Sequence, residues 1–300
     1  MLVPSRRAAE MALEHPGLEP VFYRHEGPPP PDVARARLML STPRTAAELE
    51  EYAALAPHLE YVQAVSSGTD HLVGLPARVG YGSGRGSNGM VAAELALGLV
   101  LTSFRRLDDA VRSAQRAVWE PTVGRSLYGS EILVIGAGDL AQQFKVRVEA
   151  CGATATLSGR TARGDTIAIS QLKEHLSGKQ AVVIMVPLTP QTAGLVDKAF
   201  LAAMDDGALL VNVARGGIVD QDALMAECRA GRLKAALDVA DPEPLPPGHP
   251  LWTCPGVLVT PHIGGEVRGF MERAFRLGID QLAAYARGER PSNMVRAPQR

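Results

Sequence analysis

The chain of 300 residues is short of the features that mark several whole classes of protein. It has three cysteines, Cys151, Cys228 and Cys254, far apart and with no C-x-x-C pair. That excludes a disulfide framework and leaves no zinc-binding spacing. Neither charge is in excess: 31 Lys and Arg stand against 32 Asp and Glu, so no field is available to hold nucleic acid or an anionic membrane. The longest apolar run, Val91 to Phe104, is broken by Glu94 and is too short to span a bilayer. Arg6, Arg7 and Glu10 stand where a secretory apolar region would be. Repeats and low-complexity tracts are missing too, apart from the prolines between Pro28 and Pro31. The expectation is a cytoplasmic, metal-free protein without nucleic-acid or membrane partners. Hydrophobic residues at 46% and charged residues at 21% suffice for one large or two moderate domains.

Short strands alternate with helical stretches along the whole chain. Val21-Phe22-Tyr23, Leu38-Met39-Leu40 and Tyr61 to Val65 are apolar bursts of strand length, and Thr45 to Leu55 opens Thr-x-x-Glu with a helical period. A Gly-rich stretch, Gly80 to Gly89, leads into a long helix over about Met90 to Arg106, apolar on all sides as burial between two layers requires. A charged helix over Leu107 to Val118 follows. Beyond Glu131 six strands are predicted, over Ile132–Ile135, Thr154–Leu157, Ala181–Val186, Ala208–Val213, Ala235–Val239 and Val257–Thr260, with helices at Leu140–Cys151 and Asp220–Ala230. This rhythm fits an α/β fold with a doubly wound parallel sheet of the Rossmann type.

The first of these strands runs into Gly136-Ala137-Gly138-Asp139-Leu140-Ala141, a G-x-G-x-x-A turn before a helix. Gly136 permits the tight turn, Gly138 lets the backbone approach a pyrophosphate, and Ala141 allows close helix–strand packing; the anion would rest on the free N–H groups of the helix start. Asp139 mildly opposes an anion and is expected to face solvent. About 20 residues past the glycines, where an acid would hold the ribose of NAD, the chain reads Ser158-Gly159-Arg160-Thr161. Hydroxyls and a guanidinium suit a 2′-phosphate, so NADP is favoured and NAD remains possible.

Three later segments end strands on polar groups: Val211 to Asp220 presents Arg215, Ala236 to Pro244 leads to Glu243, and Leu258 to Gly265 carries His262. Singly, each has a bland explanation as a surface or structural residue. Together they supply what carbonyl reduction needs. Arg215 can grip a 2-oxo-carboxylate with its forked donors, His262 can deliver a proton to the carbonyl oxygen, and Glu243 can favour the imidazolium and fix its tautomer.

With these blocks in order, and with Pro187-Leu188-Thr189-Pro190-Gln191-Thr192 ahead of them, the sequence resembles the D-isomer-specific 2-hydroxyacid dehydrogenase family, in its glyoxylate and hydroxypyruvate reductase-like branch. The resemblance implies Arg215, Glu243 and His262 as catalytic residues. It places Gly136, Gly138, Asp139, Leu140, Ser158, Arg160, Thr161, Val186, Pro187, Thr192, Val213, Ala214, Asp238 and Gly264 along the cofactor, Asp238 as partner of the nicotinamide carboxamide. Ser66 to His71 resembles the loop whose backbone grips the substrate carboxylate, which assigns Ser67 and Gly68 to substrate, and Asn88 resembles a substrate-side asparagine. The family implies a smaller, flavodoxin-like substrate domain over residues 1–92 and 266–300, a nucleotide domain over 93–265, and a homodimer formed through the helical arm after the long helix. Two other readings stand beside an NADPH-preferring reductase of small 2-oxo acids: an NAD-linked dehydrogenase of a larger or phosphorylated hydroxy acid, and a non-catalytic sensor of NAD(P).

Overall fold

A parallel sheet covered on both faces needs strands that are apolar on both sides, which is why the predicted strands read as continuous runs rather than alternations. The computed structural model describes residues 1–23, 30–42, 45–87 and 89–299. It divides into two units, one of residues 1–88 with 266–300 and one of residues 89–265.

The first unit starts with β1 (Leu2–Val3), α1 (Arg6–Leu13), β2 (Val21–Phe22), β3 (Leu38–Ser41), α2 (Ala46–Leu55), β4 (Tyr61–Ala64) and β5 (Gly80–Gly82). These five strands are parallel and lie in the order β5-β4-β3-β1-β2, the flavodoxin-like arrangement. Thr45 and Glu48 close a reciprocal capping box that starts α2. Successive residues serve opposite faces of the sheet: Leu2, Met39 and Val62 enter one core, Val3, Leu38, Leu40 and Tyr61 the other.

The second unit opens with α3 (Gly89–Arg105) and α4 (Leu107–Gln115), then β6 (Glu131–Ile135), α5 (Asp139–Ala150), β7 (Thr154–Gly159), β8 (Ile167–Ala168), β9 (Ala181–Ile184), α6 (Lys198–Ala203), β10 (Leu209–Asn212), α7 (Gln221–Arg229), β11 (Lys234–Leu237) and β12 (Val257–Val259). All seven strands are parallel, in the order β12-β11-β10-β9-β6-β7-β8. This is the Rossmann order extended by one strand, and it reverses between β6 and β9, where open α/β sheets bind ligands. In β6, Leu133 and Ile135 join the core on one face while Ile132 and Val134 join the other. The apolar helix α3 buries Ala93, Ala96, Leu99 and Val100 in the second of these cores, with Phe144 and Val148 of α5. Because α3 begins at Gly89 and belongs whole to the second unit, the division precedes Gly89 instead of following residue 92.

The chain then returns to the first unit as α8 (Phe270–Ala286), which buries Phe275, Ile279 and Leu282 against the core of Val3 and Tyr61, and as β13 (Met294–Arg296), antiparallel to β5. Sequence reasoning missed β5, β8 and β13. In β5 the glycines that suggest a loop are demanded by packing: a Cβ on Gly82 would stand 2.3 Å from Tyr61 Oη and 2.5 Å from Gln63 Oε1.

Candidate active site

The turn after β6 has the geometry its glycines suggest. Gly136 has φ +138°, and a Cβ there would meet the Met185 carbonyl at 2.5 Å. Gly138 caps α5 with extended backbone, its missing side chain faces open space, and Ala141 is fully buried. The first N–H groups of α5 therefore stand at the sheet's switch point without a side-chain cap, as a cradle for a pyrophosphate requires. Leu140 is half-buried beside it. Asp139 is half-buried rather than free in solvent. Its Oδ2 lies against Gly89 at the start of α3, where a Cβ would come within 2.0 Å, a placement favoured by the positive end of that helix.

At the end of β7 the parity differs from the sequence expectation. Ser158 is 1% exposed, and its hydroxyl is buried without a hydrogen-bond partner. Its carbonyl accepts from Gly136 N (2.9 Å), so its contribution to the turn is through the backbone. At the next position, Gly159, a Cβ would sit 3.3 Å from Thr166 Cγ2 and 3.6 Å from the Ala137 Cβ of the turn. Arg160 and Thr161 follow in an exposed loop. Beyond β9, Val186 is half-buried and Pro187 exposed. The Thr192 hydroxyl donates to Pro187 O (2.7 Å) and accepts from Thr189 N (2.8 Å), closing that loop on itself.

Arg215 leaves the end of β10 half-buried, directly after Val213 and Ala214. Asn212, 1% exposed and unforeseen from the sequence, brackets this turn: its Oδ1 accepts from Ala214 N (3.0 Å) and its Nδ2 donates to Arg215 O (2.9 Å). Gly216 then packs so tightly on the next loop that a Cβ would fall 2.0 Å from Ala240 O and 2.6 Å from Asp241 N. Gln221, at the start of α7, holds that same loop. Its Oε1 accepts from Asp241 N (3.1 Å) and its Nε2 donates to Asp241 O. The Arg215 turn and the loop leading to Glu243 are thereby fixed to each other.

Asp238 organises the third segment. It is 2% exposed; Oδ1 accepts from the Thr260 hydroxyl (2.6 Å) and Ile263 N (2.9 Å), and Oδ2 accepts from Gly264 N (2.9 Å). Its carbonyl accepts from His262 N (2.8 Å). This set holds His262 at φ +51°, a left-handed conformation that costs a non-glycine residue about 1–3 kcal/mol and persists only where the surroundings enforce it. So held, the His262 ring pairs through Nδ1 with Glu243 Oε1, leaving Nε2 as the nitrogen to exchange a proton. Both side chains are partly solvent-exposed. The buried thiols are not contenders for chemistry: burial pushes Cys228 up to about 12 and raises Cys254, which keeps both protonated.

In the first unit, Ser67 and Gly68 follow the carboxyl end of β4, where Ser66 Oγ donates to Gly68 O (2.8 Å) and Ser67 is exposed. Asn88 lies outside the described residues. Among the described residues, no group of three His, Cys, Asp or Glu side chains is placed to hold a metal, and no helix is long and apolar enough to cross a membrane.

Residues 97–264 match the family model of the D-isomer-specific 2-hydroxyacid dehydrogenase NAD-binding domain. The chain belongs to the D-isomer-specific 2-hydroxyacid dehydrogenase family. It is an NAD(P)-dependent oxidoreductase of small 2-hydroxy acids. Among its relatives, the human glyoxylate reductase/hydroxypyruvate reductase is 33% identical over 255 residues, covering 79% of this chain and 76% of that protein. The D-3-phosphoglycerate dehydrogenase of Methanocaldococcus jannaschii is 32% identical over 69% of this chain and 41% of its own length. A 2-hydroxyacid dehydrogenase from Xanthobacter autotrophicus, solved in complex with NADPH and MES, superposes with a TM-score of 0.82 at 28% identity, covering 98% of this chain and 97% of that one.

The saturation of Asp238 yields a first prediction. Asp238→Ala leaves two backbone N–H groups and a hydroxyl without their charged acceptor, so a loss of at least about 3 kcal/mol is expected. Thermal unfolding measures it. A variant as stable as the parent would show that the turn at His262 holds itself.

Proposed function

We propose that this dehydrogenase is an NADPH-preferring reductase of small 2-oxo acids of the glyoxylate or hydroxypyruvate type, yielding the D-2-hydroxy acid. The observation that carries the reading is the His262–Glu243 pair, held on a turn that Asp238 forces into a left-handed conformation. The likeness to the human glyoxylate reductase/hydroxypyruvate reductase supports the substrate class.

In this reading Arg215 grips the oxo acid through its guanidinium fork. Ser67 and Gly68 offer their backbone N–H groups to the carboxylate, with Asn88 on the substrate side. His262, protonated and oriented by Glu243, donates from Nε2 to the carbonyl oxygen as it becomes the hydroxyl. The nicotinamide cofactor, when bound, supplies the hydride. Gly136, Gly138 and the start of α5 hold its pyrophosphate, Arg160 and Thr161 take the 2′-phosphate, and Val186, Pro187, Val213, Ala214 and Gly264 line its path. Asp238 has a lone-pair position to spare beyond its three donors, enough to accept a carboxamide N–H as well as hold the turn.

Two copies associate, in this reading, through the arm after α3. Leu107, Val111, Val118, Trp119 and Val123 are all exposed there, Trp119 at 97% and Val123 at 92%, an apolar surface that one copy leaves in water. Trp119→Glu with Val123→Glu is expected to halve the mass seen by light scattering; a wild type already monomeric at micromolar concentration would overturn the dimer.

His262→Asn is expected to fold and bind NADPH normally while turnover falls roughly 10²–10⁴-fold. Arg215→Lys should be nearly as damaging as Arg215→Ala, since one ammonium cannot replace a planar fork. Steady-state reduction of glyoxylate, hydroxypyruvate and phosphohydroxypyruvate tests both. Near-normal rates in the His262 variant would remove it as proton donor, and a clear preference for the phosphorylated acid would favour the function named for the phosphoglycerate dehydrogenase relative.

For the cofactor, Arg160→Ala should lower kcat/KM for NADPH by roughly 10- to 100-fold and leave NADH nearly unchanged, as loss of a charge-assisted hydrogen bond predicts. Gly159→Asp, which sets a carboxylate opposite the phosphate turn, should reverse the preference toward NADH. The comparison is made at fixed ionic strength, because phosphate contacts are screened by salt. A wild type that prefers NADH would overturn the NADPH assignment.

A further inference from the structure

One guanidinium, more than 200 residues along the chain from Ser67 and Gly68, closes a loop beside the proposed substrate contact. Arg296, in β13, donates through Nη2 to Leu75 O (2.8 Å), Pro76 O (3.0 Å) and Val79 O (2.8 Å), and through Nη1 to Val73 O (3.4 Å). Its Cζ lies over the Tyr81 ring, 4.8 Å from the centroid, within cation–π range. Gln299 N adds a bond to Ala77 O (2.9 Å). All of these carbonyls belong to the return half of a single connection, which leaves β4 through Ser66, Ser67, Gly68 and the short turn Asp70–Leu72 and comes back into β5 at Gly80. Buried Leu72 and Leu75 seat the middle of that connection in the core.

Four carbonyls converging on one side chain is more than a strand edge needs. The return half has no helix or ladder of its own; Pro76 O also accepts from Val79 N (2.9 Å), and Arg296 supplies donors to the carbonyls of Val73, Leu75 and Val79. In the outgoing half, Gly84 N donates to Ser66 O (2.7 Å); past it, Ser66 Oγ to Gly68 O and Leu72 N to Thr69 O are short-range bonds. The place of Ser67 and Gly68 is therefore set between that anchor and the stapled half that follows.

We propose that Arg296 is a positioning residue for the oxo-acid carboxylate contact: by fixing residues 73–79 it sets the place of the backbone N–H groups at Ser67 and Gly68. The proposal rests on the reading of that segment as the carboxylate grip. It would make substrate affinity depend on a strand that pairs across the sheet edge from residues more than 200 positions earlier.

The test uses the full-length enzyme with Arg296→Gln, which keeps a polar amide on a shorter side chain that cannot reach all the carbonyls, and Arg296→Ala. Amide hydrogen exchange by mass spectrometry and steady-state kinetics with glyoxylate are read together. The expected result is faster exchange over residues 66–69 as well as 73–79, a rise in KM for glyoxylate of about tenfold, as small misplacements of a binding group produce, and an unchanged dissociation constant for NADPH. If exchange quickens over 73–79 while 66–69 stays as in the parent, Arg296 is a local staple and the proposal falls. If 66–69 quickens and KM does not move, Arg296 positions the segment but the segment does not hold the carboxylate, and it is the functional reading that fails. Should Arg296→Ala not fold, the Gln variant alone decides between these outcomes.

Discussion

The carboxylate of Asp238 is the constraint from which the rest of the nucleotide-binding unit's chemistry follows. It sits buried at the end of β11 and is solvated by three donors drawn from one short turn. A buried, unpaired carboxylate would be costly, so the turn and the acid stabilise each other. The dividend is a histidine kept in a backbone conformation it would otherwise leave, with its ring turned to Glu243. Asn212 does the same for Arg215 with neutral groups, and the lack of a side chain at Gly216 lets the two loops close on one another. His262 and Arg215 are thus each held by a buried polar neighbour at the carboxyl end of a strand, not by their own packing.

Much of this was legible in the residues. The central strands of the larger sheet announce themselves because burial on both faces leaves no polar position, and each was placed to within a residue or two. The glycines of the turn after β6 are readable as a spaced pair, and at Gly136 only a glycine fits the backbone. The unread elements failed for definite reasons. The strand β5 is built of glycines whose packing against Tyr61 and Gln63 cannot be seen before the fold is known. Both β8 and β13 are too short to show a period.

The site was legible in its residue types and less so in its directions. Ser158 was assigned to the cofactor from its place at a strand end, but strand parity turns its hydroxyl inward and leaves Gly159 between Thr166 and the turn. Asp139 was expected in solvent and is found at the start of α3. Neither could be settled by a sequence pattern, because a shift of one residue reverses the face of a strand. The left-handed backbone of His262 carries no signature in composition at all. Asn212, Gln221 and Arg296 were invisible for a related reason: their partners are backbone atoms, which every sequence supplies.

The first unit is assembled from both sides of the second in chain order, and this bears on how the protein is made. Strands β1 to β5 leave the ribosome well before α8, which covers the face formed by Val3, Leu40 and Tyr61. The whole intervening unit can fold meanwhile from contiguous chain. The early strands must wait with one apolar face bare and one sheet edge unpaired, the state in which nascent chains most readily associate with one another. Closing the gap then carries the entropy of a loop of nearly two hundred residues, which grows only logarithmically if unfolded and shrinks further once the inserted unit has compacted. The order of events on the ribosome, inner unit first and outer unit last, is written into where α8 falls in the chain.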